Sequence, residues 1–124
     1  MKPVTLPKLL KKAQEAVNKR VRERDSEDGF FTCISCKRVL PVDQMNAGHF
    51  VPVKNSSYLR FNQFNINGEC VRCNCFDEFH LVGYRKNLIE KIGIDMVKWL
   101  EDNSRRLHKW SKDEIQRVIN QSTI

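Results

Sequence analysis

The sequence predicts an α+β fold in one domain: a small cysteine-stapled core of short strands, flanked by an N-terminal basic helix and C-terminal helices. Three observations predict it. Apolar residues recur at helical spacing over 5–24 and again from about residue 74 onward. The stretch between, 30–70, holds only short apolar pieces broken by Gly, Pro, Asn and Ser. Two C-x-x-C pairs bracket that middle third. The resulting organisation within 1–124 is a helix at 5–24, a core at 30–93 and further helices at 94–124. With 40% hydrophobic and 30% charged residues, the chain is globular rather than disordered and has enough apolar material for one modest core.

The first helix can be capped by Thr5. Leu6, Leu9, Leu10, Ala13, Val17 and Val21 then share one face. Lys8, Lys11, Lys12, Lys19, Arg20, Arg22 and Arg24 lie between them, against only Glu15 and Glu23. Such a face is either simply solvated or tracks phosphates, with Lys11, Lys12, Lys19 and Arg20 as the candidate contacts. A membrane-surface helix is a third reading, but the apolar face has no aromatic anchor. Residues 25–29 read as a turn or linker. Short strands are expected around 38–40, 48–53, 58–61 and 64–66. Leu81, Tyr84, Leu88 and Ile92 form a helical stripe that Gly93 ends. Asp95 can cap the next helix, where Val97, Leu100 and Leu107 recur. Ser111 and Glu114 form a capping box for the last one, with Ile115, Val118 and Ile119 facing inward.

Lys and Arg number 22 against 15 Asp and Glu, a net charge of +7 and a pI near 9.3. That balance favours a polyanionic partner, nucleic acid ahead of an acidic membrane, unless it serves only solubility. The N-terminus has no signal-peptide h-region and no run reaches the length of a membrane span, so the expected location is the cytoplasm. There, five cysteines are metal ligands rather than disulfides, and an odd number cannot be fully paired within one chain.

Cys33-Ile-Ser-Cys36 and Cys70-Val-Arg-Cys73 supply four soft ligands. A two-residue gap lets both thiolates of a tight turn point at one ion, and two such knuckles make the tetrahedral set that suits structural Zn²⁺. A redox C-x-x-C would need only one pair. Cys75 lies just outside and reads as an ordinary thiol. Because four cysteines close the site, any chemistry must come from other residues. The first knuckle runs into a hairpin carrying His49 and the second into a helix carrying His80. A knuckle, hairpin and helix around one zinc make a treble clef, in which His49 would face His80 with Asn65 within reach. His49 alone reads as readily as a packed structural residue, and His80 as an exposed one. His108, beside Arg105, Arg106 and Lys109, reads as a surface residue.

The order of His, Asn, then C-x-x-C-N and a polar helix resembles the HNH, or ββα-metal, nucleases. Within them, 33-CISC-36, 47-AGHF-50, 59-LRF-61, 65-NINGECVRCN-74 and 84-YRKNLIEKIG-93 resemble the phage lambda NinG (Rap) family of recombination proteins. The resemblance implies a role for each match. His49 would be the general base for water attack. Asn65 would orient the strand that carries it. His80 would hold a catalytic divalent cation, Mg²⁺ or Mn²⁺, at the scissile phosphate. Gly48 departs from the pattern, since many such sites place Asp or His there as a ligand. Asp77 or Glu78 would have to replace it, with Asp77 nearer the His80 face. Arg60 and Arg85 lie in matching segments and either contact phosphate or pair with acidic neighbours.

The implied function is an endonuclease acting on branched recombination intermediates, such as Holliday junctions and D-loops, through backbone contacts. Paired cuts in a symmetric junction would be simplest for a homodimer, though no dimer signal is present. The alternative is a zinc-stabilised nucleic-acid-binding module without hydrolysis. A third reading is an adaptor for another recombination protein.

Overall fold

The computed structural model describes residues 3–121. Helix α1, Leu6–Arg24, buries Leu9, Ala13, Val17 and Val21. Thr5 has the extended backbone of a cap, but its side chain makes no capping bond; Pro7 in the first turn presets the helical φ instead. The chain then forms a hairpin of β1, Ser26–Glu27, and β2, Phe30–Thr32, with Glu27 opposite Phe30. Asp28 and Gly29 make its two-residue turn, with φ of 52° and 84°. Of the turn or linker expected at 25–29, the structure shows the turn, as part of a hairpin. Strand β3, Val39–Pro41, pairs with β2 to complete a three-stranded sheet.

A second hairpin carries most of the expected site. Strand β4, Met45–His49, pairs antiparallel with β5, Ile66–Cys70, placing His49 opposite Ile66 and Met45 opposite Cys70. The strands expected at 48–53 and 64–66 are thus shifted, and 58–61 is not a strand. Ser57–Leu59 is a 3-10 turn in a loop that buries Leu59. Asn65, itself fully buried, pins that loop. Its Oδ1 accepts from the Val51 N–H at 2.8 Å, and its Nδ2 donates to the carbonyls of Val51 and Leu59 at 3.0 and 3.3 Å.

Helix α2, Val71–Phe76, starts directly from β5; α3, His80–Ile92, α4, Ile94–Asp102, and α5, Lys112–Asn120, follow. Gly93, at φ 87°, ends α3 and caps α4, the place expected of Asp95. Leu107 lies beyond α4 and is exposed, whereas Val97 and Leu100 are buried with Tyr84, Leu88 and Leu59. Leu81, the second residue of α3, is exposed. The capping box of α5 is present in both directions.

The β4–β5 hairpin is covered on both faces. Val17 and Val21 of α1 pack on Ile66 from one side. From the other, the Tyr84 hydroxyl of α3 donates to the Gly48 carbonyl at 2.6 Å. A Cβ at Gly83 of α3 would collide with the Ser35 carbonyl, so this glycine lets the helix seat on the first knuckle. Asp25 clamps the arrangement, accepting from the Gly68 N–H at 2.8 Å and pairing with Lys91 at 3.0 Å. Helix α5 closes on α1 through Leu9, Ala13 and Ile115. No helix among the described residues is long and apolar enough to cross a membrane.

Candidate functional site

The first knuckle lies in the turn between β2 and β3; the second spans the end of β5 and the first turn of α2. Register brings them together. The ligand atoms of Cys33, Cys36, Cys70 and Cys73 all lie within 4.8 Å of one another, and Cys36 Sγ is 4.0 Å from Cys70 Sγ. Sulfurs around a tetrahedral zinc, each about 2.3 Å from the metal, sit about 3.8 Å apart, so this set can hold a metal such as zinc. Donors surround it. The Cys70 N–H points to Cys33 Sγ at 3.3 Å, and the Arg38 guanidinium reaches Cys36 and Cys70 at 3.4 and 3.6 Å. Burial alone would raise the Cys36 thiol, but its hydrogen bonds with Arg38 bring it down to about 6. Cys75 is exposed and outside the cluster.

His49 ends β4, half-buried. Its Nε2 is 3.0 Å from the Arg60 carbonyl oxygen and 3.4 Å from Gln14 Nε2 of α1. In the tautomer protonated on Nε2 the ring donates to the Arg60 carbonyl and Nδ1 is the basic nitrogen; in the other, Nε2 accepts from the Gln14 amide, which Arg60 orients. Burial pushes the imidazole below its ordinary value; the Arg60 charge adds to this and its carbonyl opposes it. The ring is therefore neutral at neutral pH and able to accept a proton.

His80 opens α3 on the other side of the hairpin. Its Nδ1 is 2.6 Å from Oε2 of Glu69, a fully buried carboxylate on β5. The same oxygen accepts from Ser35 Oγ of the first knuckle. Adjacent residues of a strand point to opposite faces. Accordingly Gly48 looks toward Glu69 and Asn74, while His49 looks toward α1. The expected facing of His49 and His80 is not seen: His49 is bonded on the α1 face of the hairpin and His80 to Glu69 on the α3 face. Asp77 does not join them. It is exposed, and its Oδ1 accepts from the Phe79 N–H at 2.9 Å. Among the described residues, only the four cysteines form a convergent group of three or more His, Cys, Asp or Glu ligands.

Residues 2–123 match the family model described as Bacteriophage Lambda NinG protein. The chain belongs to the NinG family. Over 109 residues, 88% of the chain, it is 40% identical to Protein ninG of Salmonella phage P22 and of Escherichia phage lambda. Protein ninG of Escherichia phage 933W is 39% identical over the same length. The chain spans about half the length of these relatives, 51% for the first two. No solved structure matches it.

In this NinG-family chain the expected phosphate contacts separate into two groups. Lys11, Lys12 and Lys19 are exposed on α1. Arg20 instead donates to the carbonyls of Val118 and Ile119 at 2.9 and 2.6 Å, capping the end of α5. Arg85 pairs with Glu101 through two 2.9 Å hydrogen bonds, and Arg60 donates to Gln14 Oε1 at 3.2 Å. Of the two readings for these arginines, Arg85 follows acidic pairing and Arg60 packs beside His49. His108 is not a free surface residue; its Nε2 lies 2.8 Å from Glu114 Oε2. Sequence reasoning missed Gln14, Glu69 and Asn74. Only Glu69 left a trace, a lone carboxylate inside the buried strand Ile66–Cys70.

Proposed function

We propose that this NinG-family chain is a structure-specific DNA endonuclease that hydrolyses phosphodiester bonds in branched recombination intermediates, such as Holliday junctions and D-loops. In this reading the knuckle, the β4–β5 hairpin and α2 form a treble clef of the HNH, ββα-metal, class, with zinc in the cysteine site. The observation that carries it is His49: neutral at neutral pH, with Nε2 against the Arg60 carbonyl and no hydrogen-bond partner for Nδ1 among the described residues.

His49 Nδ1 takes the proton of a water as its oxygen attacks phosphorus, and the 3′ oxygen leaves, giving 5′-phosphate and 3′-hydroxyl ends. A divalent cation, Mg²⁺ or Mn²⁺, held on the His80 face of the hairpin would supply charge stabilisation for the phosphate and leaving oxygen. Asn65 holds the loop whose Arg60 carbonyl fixes the base. Lys11, Lys12 and Lys19 hold the DNA backbone without reading sequence. The cellular setting is the cytoplasm of a phage-infected bacterium, with other recombination proteins as further partners.

One observation favours a second reading, a zinc-stabilised binding module without hydrolysis. His49 and His80 are each bonded inside the fold, on opposite sides of β4. End-labelled four-way junction, flap and linear duplex separate the two, incubated with Mg²⁺, with Mn²⁺ or without added metal. The nuclease nicks near the branch, and His49→Ala lowers the rate about 10²–10⁴-fold while zinc content and junction binding persist. Tight binding with no nicking by either protein rejects the nuclease.

A further inference from the structure

We propose that Glu69 is the carboxylate ligand of a divalent cation seated beside Gly48, with Oε1 as the donor atom and Asn74 Oδ1 next to it. This deepens the nuclease reading and rests on it for the cation's use. Among the described residues, Glu69 Oε1 is the one buried side-chain nitrogen or oxygen without a hydrogen-bond partner. The residue is 0% exposed, and leaving a carboxylate oxygen there unmatched is costly. Its other oxygen is held twice, by Ser35 Oγ and by His80 Nδ1. The carboxylate is thus fixed in orientation, with its free oxygen aimed at one place.

That place is the α3 side of Gly48. A Cβ built on Gly48 would collide with Glu69 Oε1 and would lie 3.3 Å from Asn74 Oδ1. Two acceptor oxygens converge there, and no donor side chain bonds Oε1. Hard divalent cations take such oxygen sets and fill the remaining positions with water and phosphate oxygens. The glycine also explains where the ligand comes from: position 48 has no room for a side chain, so β5 supplies the carboxylate instead of β4. His80, 18% exposed, is then a positioning residue that orients Glu69 from the rim of the site. Asp77, exposed and bonded to the Phe79 N–H, is not a ligand. The Ser35 hydrogen bond joins this site to the zinc knuckle, so folding of one sets the other.

The test titrates the zinc-loaded chain, residues 1–124, with Mn²⁺, following free Mn²⁺ by electron paramagnetic resonance. The wild-type chain binds one Mn²⁺ beyond its zinc. Glu69→Gln, which keeps size and shape, weakens binding at least about tenfold, and Asn74→Asp, which adds charge, tightens it by a similar factor. Asp77→Asn stays within about twofold. No Mn²⁺ on the wild-type chain, or equal affinity in Glu69→Gln, overturns the proposal. If Glu69→Gln does not fold, unchanged affinity in Asn74→Asp overturns it. Junction nicking by the same preparations separates the two ideas. Mn²⁺ held through Glu69 without nicking supports the site and rejects the nuclease; nicking with Mn²⁺ binding indifferent to Glu69 does the reverse.

Discussion

The two ends of the β4–β5 hairpin collect polar ligand-type atoms in opposite ways. At the Cys70 end, four sulfurs from two tight turns converge, with backbone and Arg38 donors around them. Toward the His49 end, a histidine on one face, and on the other a carboxylate and an amide that sit next to Cys70 and Cys73, come from separate elements. The first is closed and soft, suited to holding the fold. The second has an unbonded imidazole nitrogen and an unmatched oxygen, suited to chemistry. The lesson is that one hairpin can carry stability and reactivity on neighbouring residues: Glu69 sits next to Cys70 in the sheet and is tied to the first knuckle through Ser35, while His49 stands four positions away on the other face.

If that division is real, losing the cysteine site should cost far more than losing anything at the other end. Structural zinc in such sites binds with on the order of 10 kcal/mol, comparable to a domain's whole net stability. Zinc chelation, or Cys73→Ser, is therefore expected to abolish the cooperative unfolding transition seen by far-UV circular dichroism. Chelated protein that still melts cooperatively would break the comparison. Asn65→Leu comes next. It strands the Val51 N–H and the carbonyls of Val51 and Leu59, costing about 2–4 kcal/mol by urea denaturation, while zinc content stays at one per chain.

A pH profile sharpens the reactive end. Burial first, with the Arg60 charge, lowers His49 below its ordinary value of 6.5. The folded state prefers the neutral ring. Its contribution to stability is therefore full above 6.5 and lost as pH falls through the lowered value. The nicking rate should follow the same limb, dropping about tenfold per pH unit with a midpoint below 6.5. A midpoint above 6.5 would assign the base elsewhere. The smallest effect is expected from Arg85→Ala, which removes only an exposed pair with Glu101 and should leave the urea midpoint unchanged. By contrast, changing Lys11, Lys12 and Lys19 together to Gln should flatten the salt dependence of junction binding, by about one unit of slope for each phosphate no longer neutralised.

What could be read from sequence follows the same division. The cysteine pairs were legible because each is a local spacing, and α1 and α5 because 3.6-residue periodicity and the Ser111–Glu114 box are local too. The turn at 25–29 was legible from its polar run, but the two-residue strand on its near side is too short to leave a pattern. The loop around Leu59 alternates like a strand, and only the buried Asn65 shows why it is not one. Glu69 was hidden because β5 is buried along its whole length, so no alternation marks which face is functional. Arg20 looked like one more phosphate contact. Its partners lie 98 and 99 residues away, a distance no window of sequence spans.

That last bond has a consequence for the order of events at the ribosome. The Arg20 fork holds the final carbonyls of α5, and Ile115 fills the groove left by Leu9 and Ala13. During synthesis, α1 emerges first and α5 last among the described elements. The apolar stripe of α1 therefore stays only partly covered until nearly all of this chain has been made. The cysteine-stapled middle has both knuckles by residue 73 and can fold earlier. The α1–α5 clasp therefore closes after the stapled middle, and a nascent chain stalled before residue 112 should show the stapled core protected from protease while α1 is still cut.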